Sequence, residues 1–516
     1  MKKHVIIFLL LAIFILISIG ACRNPFFPGP KNNSGQKNGG AGIVDNDGTG
    51  NADSSRSFGT VAWVSTLFGA EGGDPELVVA QFTGVAVDQN GDVYALGFQN
   101  LNYTYSYGSD PAAVVAGAAA GGPNNVLVKY GPDGNAQWAK AIMQSGSWVS
   151  FTAIAVDQNG NIYIAGYQGI GSIGYGNGIS STGPNNDYNP ALVKYDSSGK
   201  ALWAYTLTAS PGTSSHAEFK ALAAGQDGNL YAAGFQIGNG TYTYETGVTA
   251  AGTSTGRNPV LVKIGANDGK AQWVCTITGG SDNAEFGTIA ADGTGNVYVA
   301  GYQNGLAAYT YGTNATAAGV TSGNNAVLVK YDANGDAKWA RAPSDANGAS
   351  IFNSAAVDGA GNIYAAGSGT NGIPVLVKYD TSGNALWAKT PVGFEPSGTC
   401  GVTFNSIAVD NAGFVYAAGS QSGACDYGNG VTVTNSNGIK TSSLLVKYDA
   451  SGTAQGAWIV KESTEESGFW GIALDPSSAY FYAVGYQCKD GEFDYGDDIV
   501  VNGIGDESST LVKYTK

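Results

Sequence analysis

Apolar and polar residues alternate along short stretches of the chain, and these stretches come in pairs separated by tight turns. In the stretch FTGVAVDQNGDVYALGFQ (82–99), small and apolar residues alternate up to Asp88, Gly91 lies in a turn, and a second alternating run follows. The stretch VLVKYGPDGNAQWAK (126–140) has the same design, with Gly134 in the turn and Trp138 on the returning run. A period of two predicts β-strands, and glycine supplies the positive φ of a tight hairpin turn.

Both stretches recur along the chain as two modules of one repeat. The first has seven copies, at 82–99, 151–168, 219–236, 286–303, 352–368, 404–421 and 469–487. The second lies between them, at 126–140, 191–205, 260–274, 327–341, 375–389 and 444–459, with a truncated seventh copy at 510–514. Two hairpins every roughly 48–70 residues predict the four strands of a propeller blade. We therefore expect an all-β, seven-bladed β-propeller with four strands per blade.

The truncated last copy predicts how the ring closes. The six complete copies of the second module each contain a tryptophan, whereas TLVKY at 510–514 is followed by two residues only. The stretch SFGTVAWVSTL (57–67) precedes the first repeat and carries an unmatched tryptophan, Trp63. We expect the N-terminal strand 58–67 to pair with the C-terminal strands and complete the seventh blade, because closure removes exposed sheet edges. The tryptophans are expected to form core between blades.

The repeat resembles the bacterial β-propeller repeat family labelled SBBP, in which similar A-V-D-x-x-G-N-x-Y-x-x-G and K-Y-D-x-x-G-x-x-x-W-A stretches recur. The resemblance covers residues 58–516, with Gly225 standing where other copies have Asp. It implies the propeller fold but no activity, since members generally have none assigned. The D-x-x-G-x-x-x-W pattern is also similar to the tryptophan-docking repeat of quinoprotein dehydrogenases and of a propeller lipoprotein that assists outer-membrane protein assembly.

The N-terminal segment predicts export and a lipid anchor. Two lysines precede a long apolar run, which is typical of a secretory signal peptide over 1–21. Ile19-Gly20-Ala21-Cys22 resembles a bacterial lipobox, which implies cleavage before Cys22 and a diacylglycerol on its thiol; an uncleaved transmembrane anchor is the alternative. Residues 22–57 are rich in Asn, Gly and Ser and predict a flexible tether before the propeller domain at 58–516. Arg23 stands after the cysteine, where an inner-membrane retention signal has Asp, which favours the outer membrane.

Charge and histidine content narrow the function. The net charge of −15 disfavours nucleic acid as a partner. Of the two histidines, His4 lies in the signal peptide, so His216 alone remains in the mature chain. This disfavours sites that need several histidines, and we expect no metal, no cofactor and no catalytic residues. We expect a monomer.

The long loops between the two modules carry a second pattern, Tyr-x-Tyr-Gly and its variants. One interpretation is an aromatic rim that binds a partner; the other is a set of small hairpins packed on their own blades. The candidate rim residues are Tyr103, Tyr105, Tyr107, Tyr175, Tyr242, Tyr244, Tyr309, Tyr311, Tyr427 and Tyr495. The fifth repeat lacks the pattern, because a short segment joins Ser368 to Pro374, and this predicts a notch in the rim.

Two cysteines, Cys400 and Cys425, fall in predicted long loops of one blade. In an oxidising compartment they could form a disulfide, and a buried reduced pair is the alternative.

The sequence as a whole predicts a lipid-anchored, non-catalytic propeller that binds another envelope or extracellular protein. A glycan-binding module that uses the loop tyrosines is one alternative. A quinoprotein-like or lyase propeller enzyme is the other.

Overall fold

In the computed structural model, the described residues are 44–45, 59–67, 69–71, 78–100, 103–108, 113–116, 124–143, 145–212, 215–343, 350–369, 374–393, 400–435, 440–461, 465–477, 479–488, 491–497 and 499–516. They contain seven antiparallel sheets, each with four strands in the order of a propeller blade. The predicted all-β, seven-bladed propeller is confirmed. Blades 1 to 7 are numbered here in chain order of their innermost strands.

The strands of each blade follow one another from the axis outwards. The innermost strands are Ala80–Val87, Val149–Val156, Ala217–Ala224, Ala284–Ala291, Ser350–Val357, Cys400–Val409 and Ser467–Leu474. The second strands are Val93–Gln99, Ile162–Gln168, Asn229–Ile237, Val297–Asn304, Ile363–Gly369, Val415–Asp426 and Tyr480–Cys488. The third strands are Asn124–Tyr130, Asn189–Tyr195, Arg257–Gly265, Asn324–Tyr331, Pro374–Tyr379, Ser442–Tyr448 and Glu507–Thr515. The outer strands are Ala136–Ala141, Ala201–Tyr205, Ala271–Thr276, Ala337–Arg341, Ala385–Lys389, Ala454–Ile459 and, for blade 7, Val61–Thr66.

The innermost strands form a closed ring, because each contacts the next and the strand of blade 7 contacts that of blade 1. The core lies in the seams between neighbouring blades, where buried apolar side chains of one blade pack against those of the next. Burial of this apolar surface is the main force that holds the blades together.

The outer strand of blade 7 comes from the N-terminal side of the chain, as predicted. Val61 pairs with Tyr514, Val64 with Val512 and Thr66 with Thr510, all in antiparallel register. Val44–Asp45, from the stretch predicted to be a tether, adds a short fifth strand to the outside of this blade.

The two faces of the propeller differ in their connections. Tight turns join the first to the second strand in every blade and the third to the outer strand in blades 1 to 6. Because the strands are antiparallel, both sets of turns lie on one face, called here the turn face. The longer connections lie on the opposite face, called here the loop face. The short turns and the long loops are thus separated onto opposite faces.

A tryptophan on the outer strand ties most blades to the next one. Its indole N–H donates to a backbone carbonyl in the turn between the third and outer strands of the following blade. The pairs are Trp63–Pro132, Trp138–Ser197, Trp203–Ala266, Trp273–Ala333, Trp339–Thr381 and Trp387–Ala450, at 3.1–3.3 Å. The ring packs on the glycine of that turn, and the glycines are Gly134, Gly199, Gly269, Gly335, Gly383 and Gly452. The tryptophans therefore lie in the seams, as expected.

Trp458 departs from this pattern, although the sequence placed it with the others. In blade 6 the residue opposite Lys447 is Gly456, whereas in the other blades the equivalent lysine faces tryptophan. Trp458 lies two residues later, opposite Leu445, and contacts the Tyr514 ring of blade 7 at 5.8 Å. The turn on which the other six tryptophans pack has no counterpart in blade 7, because the third and outer strands of that blade come from distant parts of the chain.

Candidate functional site

The Tyr-x-Tyr-Gly segments form small hairpins on the loop face. Their strands are Thr104–Ser106 with Val114–Ala116, Ser172–Gly176 with Ile179–Thr182, Thr241–Glu245 with Val248–Ala251, Ala308–Gly312 with Ala315–Ala318, and Glu492–Asp494 with Val500–Asn502. In blade 6, Thr432–Thr434 pairs with the end of the long second strand. Each hairpin is fixed by a tyrosine hydroxyl that donates to the glutamine near the end of the second strand of its own blade. The pairs are Tyr107–Gln99, Tyr175–Gln168, Tyr244–Gln236, Tyr311–Gln303, Tyr427–Gln421 and Tyr495–Gln487.

All ten tyrosines of the predicted binding rim are buried. They are Tyr103, Tyr105, Tyr107, Tyr175, Tyr242, Tyr244, Tyr309, Tyr311, Tyr427 and Tyr495, none more than 7% exposed. A buried phenol needs an internal hydrogen-bond partner, and the glutamines provide it for six of them. The structure therefore favours hairpins packed on their own blades, and a partner has no access to these rings.

The hairpins also connect neighbouring blades. The segment that leads into six of the blades pairs with the hairpin of the blade it enters. These contacts are Gly69–Glu71 with Thr104–Ser106, Val392–Gly393 with Cys425–Asp426, and the bridges Ser145–Gly174, Ala209–Thr243, Gly279–Thr310 and Lys461–Asp494. Each hairpin thus binds the segment that arrives from the preceding blade.

Blade 5 has neither the hairpin nor the residues that fix one. Gly369 stands where the other six blades have the glutamine, and only residues 370–373, outside the described ranges, separate its second and third strands. Its outer strand is consequently less covered. Ala385, which begins that strand, is exposed, whereas the equivalent Ala201 is 2% exposed beneath its hairpin. The notch predicted from the sequence corresponds to this uncovered strand.

Two apolar side chains are exposed on the outer strand of blade 5 and on the segment that follows it. Leu386 is 53% exposed and Val392, which follows the outer strand, is 57% exposed. As in blades 1 to 4 and 6, the outer strand leaves one edge of backbone N–H and C=O groups unpaired with any other described strand. Such an edge can accept a strand from another chain.

Cys400 and Cys425 form a disulfide. The sequence placed both in loops, but they belong to the lengthened first and second strands of blade 6. The bond joins the loop-face ends of these two strands. The second strand pairs there with Val392–Gly393, the segment that follows the outer strand of blade 5.

Cys275 is a free thiol whose pKa is raised to about 12 by burial and by nearby Asp336 and Asp332, so it is a poor nucleophile.

A second feature lies at the loop-face end of the central channel, where every innermost strand has a β-bulge. The extra residue follows the buried phenylalanine of each strand; these residues are Thr83, Thr152, Lys220, Gly287, Asn353, Asn405 and Trp470. The glycine opposite each bulge is sterically required, since a Cβ on Gly301 would lie 2.1 Å from the Glu285 carbonyl oxygen. A bulge re-aims the side chain it carries, and six of these seven residues have one.

Charged residues cluster at the bulges of blades 3 and 4. Glu218 accepts from His216 at 2.7 Å and forms an ion pair with Lys220 at 2.6 Å. Burial opposes ionisation of Glu218, but these two partners outweigh it and lower its pKa to about 2. The residues on either side of Phe219 thus form an ion pair in the channel wall, in which Glu218 is buried and Lys220 is partly exposed.

Arg257 joins the two blades of this cluster. Its guanidinium lies 2.5 Å from the Glu285 carboxylate and 4.4 Å from the Phe235 ring centroid. His216 stacks on Tyr188 at 4.2 Å between centroids. The histidine is therefore held by Glu218 and by aromatic rings. The sequence singled out His216 but not its neighbours.

No group of three or more metal-ligating side chains occurs within the described ranges. Within the same ranges, no helix has the length and apolar character needed to cross a membrane.

Across the channel, a buried carboxyl group lies in the seam that closes the ring. Glu507 begins the third strand of blade 7, is 2% exposed, and accepts a hydrogen bond from Gln81 of blade 1. Burial raises its pKa to about 7, with further contributions from the nearby Asp506 and Glu466 carboxylates. The folded protein therefore holds a proton on Glu507 at pH values where the unfolded chain has released it.

This proton predicts a loss of stability as pH rises. Below the pKa of Glu507 in the unfolded chain, near 4.5, the carboxyl group is protonated in both states and makes the free energy of unfolding independent of pH. Between about pH 4.5 and 7 the free energy of unfolding falls as pH rises, by about 3 kcal/mol in total. Glu507→Gln mimics the protonated acid, so it should stabilise the protein above pH 6 and hardly at pH 4.5. Urea titrations across this range measure the difference from wild type. Glu492→Gln, at an exposed carboxylate of the same blade, is the control, and a pH-independent difference for Glu507→Gln would refute the assignment.

Comparison with known proteins adds little to this picture. No family model matches the chain. An uncharacterized WD repeat-containing protein of Acanthamoeba polyphaga mimivirus is 28% identical over 130 residues, which is 23% of this chain and 9% of that protein. The chain thus matches less than a tenth of the length of this curated relative.

Several solved structures share the general architecture at low similarity. U3-55K has a TM-score of 0.47 at 8% identity, covering 90% of this chain and 99% of that one. The RRP9 WD40 repeats have a TM-score of 0.44 at 8% identity, covering 87% and 97%. A catalytically inactive virginiamycin B lyase from Staphylococcus aureus, with quinupristin, has a TM-score of 0.40 at 10% identity, covering 87% and 99%. The fold assignment rests on the strand order of this chain itself.

Proposed function

We propose that this protein is a non-catalytic propeller that binds another protein at blade 5. The observation that supports the proposal is the uncovered outer strand Ala385–Lys389, which lacks the hairpin that covers its counterparts. Rigid propeller scaffolds present binding surfaces on the connections between strands, and a missing connection exposes the blade beneath it.

The proposed partner supplies an extended segment that pairs with this strand. Main-chain hydrogen bonds provide affinity in such strand addition, and alternate side chains provide specificity. Leu386 and Val392 offer apolar contacts on the same exposed stretch. The acidic net charge of −15 favours a basic segment over an acidic one.

Site-specific photo-crosslinking tests this proposal. A photoreactive phenylalanine analogue at position 386 should give one discrete adduct in cells, and the same analogue at position 202 should not. Leu202 is the matched control. It occupies the equivalent place on blade 2 and is also exposed, but blade 2 keeps its hairpin. Leu386→Lys should reduce co-purification of the crosslinked protein by roughly tenfold or more, which corresponds to about 1.4 kcal/mol. Equal adducts at both positions, or none at 386, would refute the proposal.

The cellular location is part of the proposal. We infer a bacterial envelope lipoprotein of the SBBP type, cleaved before Cys22 and anchored there, with the propeller at 58–516 held outside the cytoplasm. The signal-like run and the Ile19-Gly20-Ala21-Cys22 motif support this, although both lie outside the described residues. The Cys400–Cys425 disulfide also suits an oxidising compartment. Arg23 favours the outer membrane.

Cys22→Ala should move the protein from the membrane to the soluble fraction, because it removes the thiol that carries the lipid. Detergent phase partitioning of cell fractions measures this, and Cys275→Ala, at a thiol inside the propeller, is the control. If Cys22→Ala partitions like wild type, the lipid anchor is wrong while the blade 5 proposal stands.

A further inference from the structure

A cavity of about 230 Å³ opens at the loop-face end of the central channel. It is lined by Lys220 of blade 3, Glu285, Gly287, Gly301 and Tyr302 of blade 4, and Ile351, Phe352 and Asn353 of blade 5. The volume is below that of most pockets for drug-sized ligands. It suits one small polar ring.

The charges in the cavity wall are already paired within the protein. Lys220 is neutralised by Glu218 at 2.6 Å, and Glu285 by Arg257 at 2.5 Å. An anion would have to compete with Glu218 for the lysine, and a cation would have to compete with Arg257 for the carboxylate. The wall therefore favours an uncharged ligand that can accept from Lys220 and donate to Glu285.

The remaining surface is flat and partly apolar. Gly287 and Gly301 contribute no side chains, while the half-buried Tyr302 and Ile351 supply apolar surface beside them. Asn353 donates its amide N–H to the Phe404 carbonyl at 3.3 Å, which leaves its side-chain oxygen as an acceptor. A pyranose combines an apolar ring face with hydroxyl groups that donate and accept. We propose that this cavity binds a single neutral pyranose unit of a saccharide.

Comparison among the seven blades shows that the cavity is not a requirement of the fold. The bulge residue carries a side chain in six blades, and only blade 4 has glycine there, at Gly287. The Gly287 backbone is outside the positive-φ region, and a Cβ at this position would meet only the Phe352 carbonyl oxygen, at 3.8 Å. The backbone conformation at this position therefore does not require glycine. The missing side chain leaves open space beside Lys220 and Tyr302.

This site is separate from the outer strand of blade 5 and from the buried loop tyrosines. It does not depend on the proposed protein partner.

The test uses a substitution that another blade of the ring carries naturally. Gly287→Trp places in blade 4 the residue that blade 7 carries at Trp470, and so fills the cavity. Thr83→Trp makes the same change in blade 1, three blades away along the ring, and is the matched control. The probes are the methyl glycosides of glucose, galactose, mannose, xylose and N-acetylglucosamine, with L-alanine as a zwitterionic comparator. Saturation-transfer NMR and equilibrium titration follow binding to the full chain.

We expect at least one glycoside to bind wild type and Thr83→Trp equally, and to bind Gly287→Trp at least about tenfold more weakly. Matching thermal unfolding of the two tryptophan variants establishes that both are folded. If Gly287→Trp unfolds, Lys220→Ala replaces it and should weaken the same glycoside. Absence of binding by every glycoside, binding that neither variant changes, or preference for L-alanine would overturn the proposal.

Discussion

A chain that begins at residue 68 is expected to lose its cooperative fold. It lacks the outer strand of blade 7 and Leu67, which follows the strand; Val61, Trp63, Val64 and Leu67 are each no more than 3% exposed. Each such side chain contributes about 1.5–3 kcal/mol by burial, so the strand contributes on the order of 8 kcal/mol. That is comparable with the whole free energy of unfolding of many domains. The seam to blade 1 also loses the hydrogen bond from Trp63 to the Pro132 carbonyl.

Three comparisons make this prediction specific to ring closure. A chain that begins at residue 46 keeps the strand but loses Val44–Asp45, and it should unfold in urea close to wild type. A peptide of residues 58–67 added in trans should restore a cooperative transition to the truncated chain. Without the peptide, the unpaired edge of Glu507–Thr515 should promote self-association, measurable by light scattering. Cooperative unfolding of the truncated monomer at the wild-type midpoint would contradict the closure.

The sequence was sufficient for the fold because the repeat supplies the same information seven times. One hairpin with alternating residues is ambiguous, but seven copies fix the strand count per blade. The unmatched Trp63 then identified the strand that completes blade 7, which pairs with Glu507–Thr515 in the structure. This inference needed only counting, since every blade has the same set of parts.

The candidate site was less accessible from the sequence, because tyrosine suits both an interface and a core. Tyr244 illustrates the difficulty: its hydroxyl donates to Gln236, eight residues earlier, a pairing with no local signature. The shared signal was present nonetheless. Six blades have both the glutamine and the tyrosine, and blade 5 has neither, with Gly369 in place of the first. Joint presence and joint loss within one chain indicate contact between two positions.

The charged residues in the channel wall differ among the repeats, whereas the tyrosine and glutamine of the hairpins recur in six of them. Residues that all repeats share, such as the glycine opposite the bulge, serve the fold. Positions that differ among the repeats are free of that demand, and Glu218, Lys220, Glu285 and Gly287 occupy such positions. Averaging the repeats to find the fold removes this information. A residue-by-residue comparison among the copies would have selected the channel residues, although not their distances.

The contact between tryptophan and turn glycine predicts strong coupling across each seam, which the pair Trp339 and Gly383 can measure. Trp339→Ala should cost about 3–5 kcal/mol of unfolding free energy, because the buried ring is lost while the Thr381 carbonyl still accepts from Lys330. Gly383→Ala should cost about 2–5 kcal/mol. Its φ of +81° costs an L-residue about 1–2 kcal/mol, and its Cβ would lie 2.8 Å from the Trp339 ring.

The double variant separates these two costs. Without the indole ring the steric conflict disappears, so Gly383→Ala should cost about 1–3 kcal/mol less in the Trp339→Ala background than in wild type. Gly428→Ala is the control, because Gly428 also has a positive φ, of +90°, but a Cβ added there would meet no heavy atom within 4 Å, so its cost should be the same in both backgrounds. Urea unfolding of the six chains provides the cycle. Additivity of Trp339→Ala and Gly383→Ala would mean that the ring and the glycine do not restrain each other, and that the seam is held by the apolar surface of the strands alone.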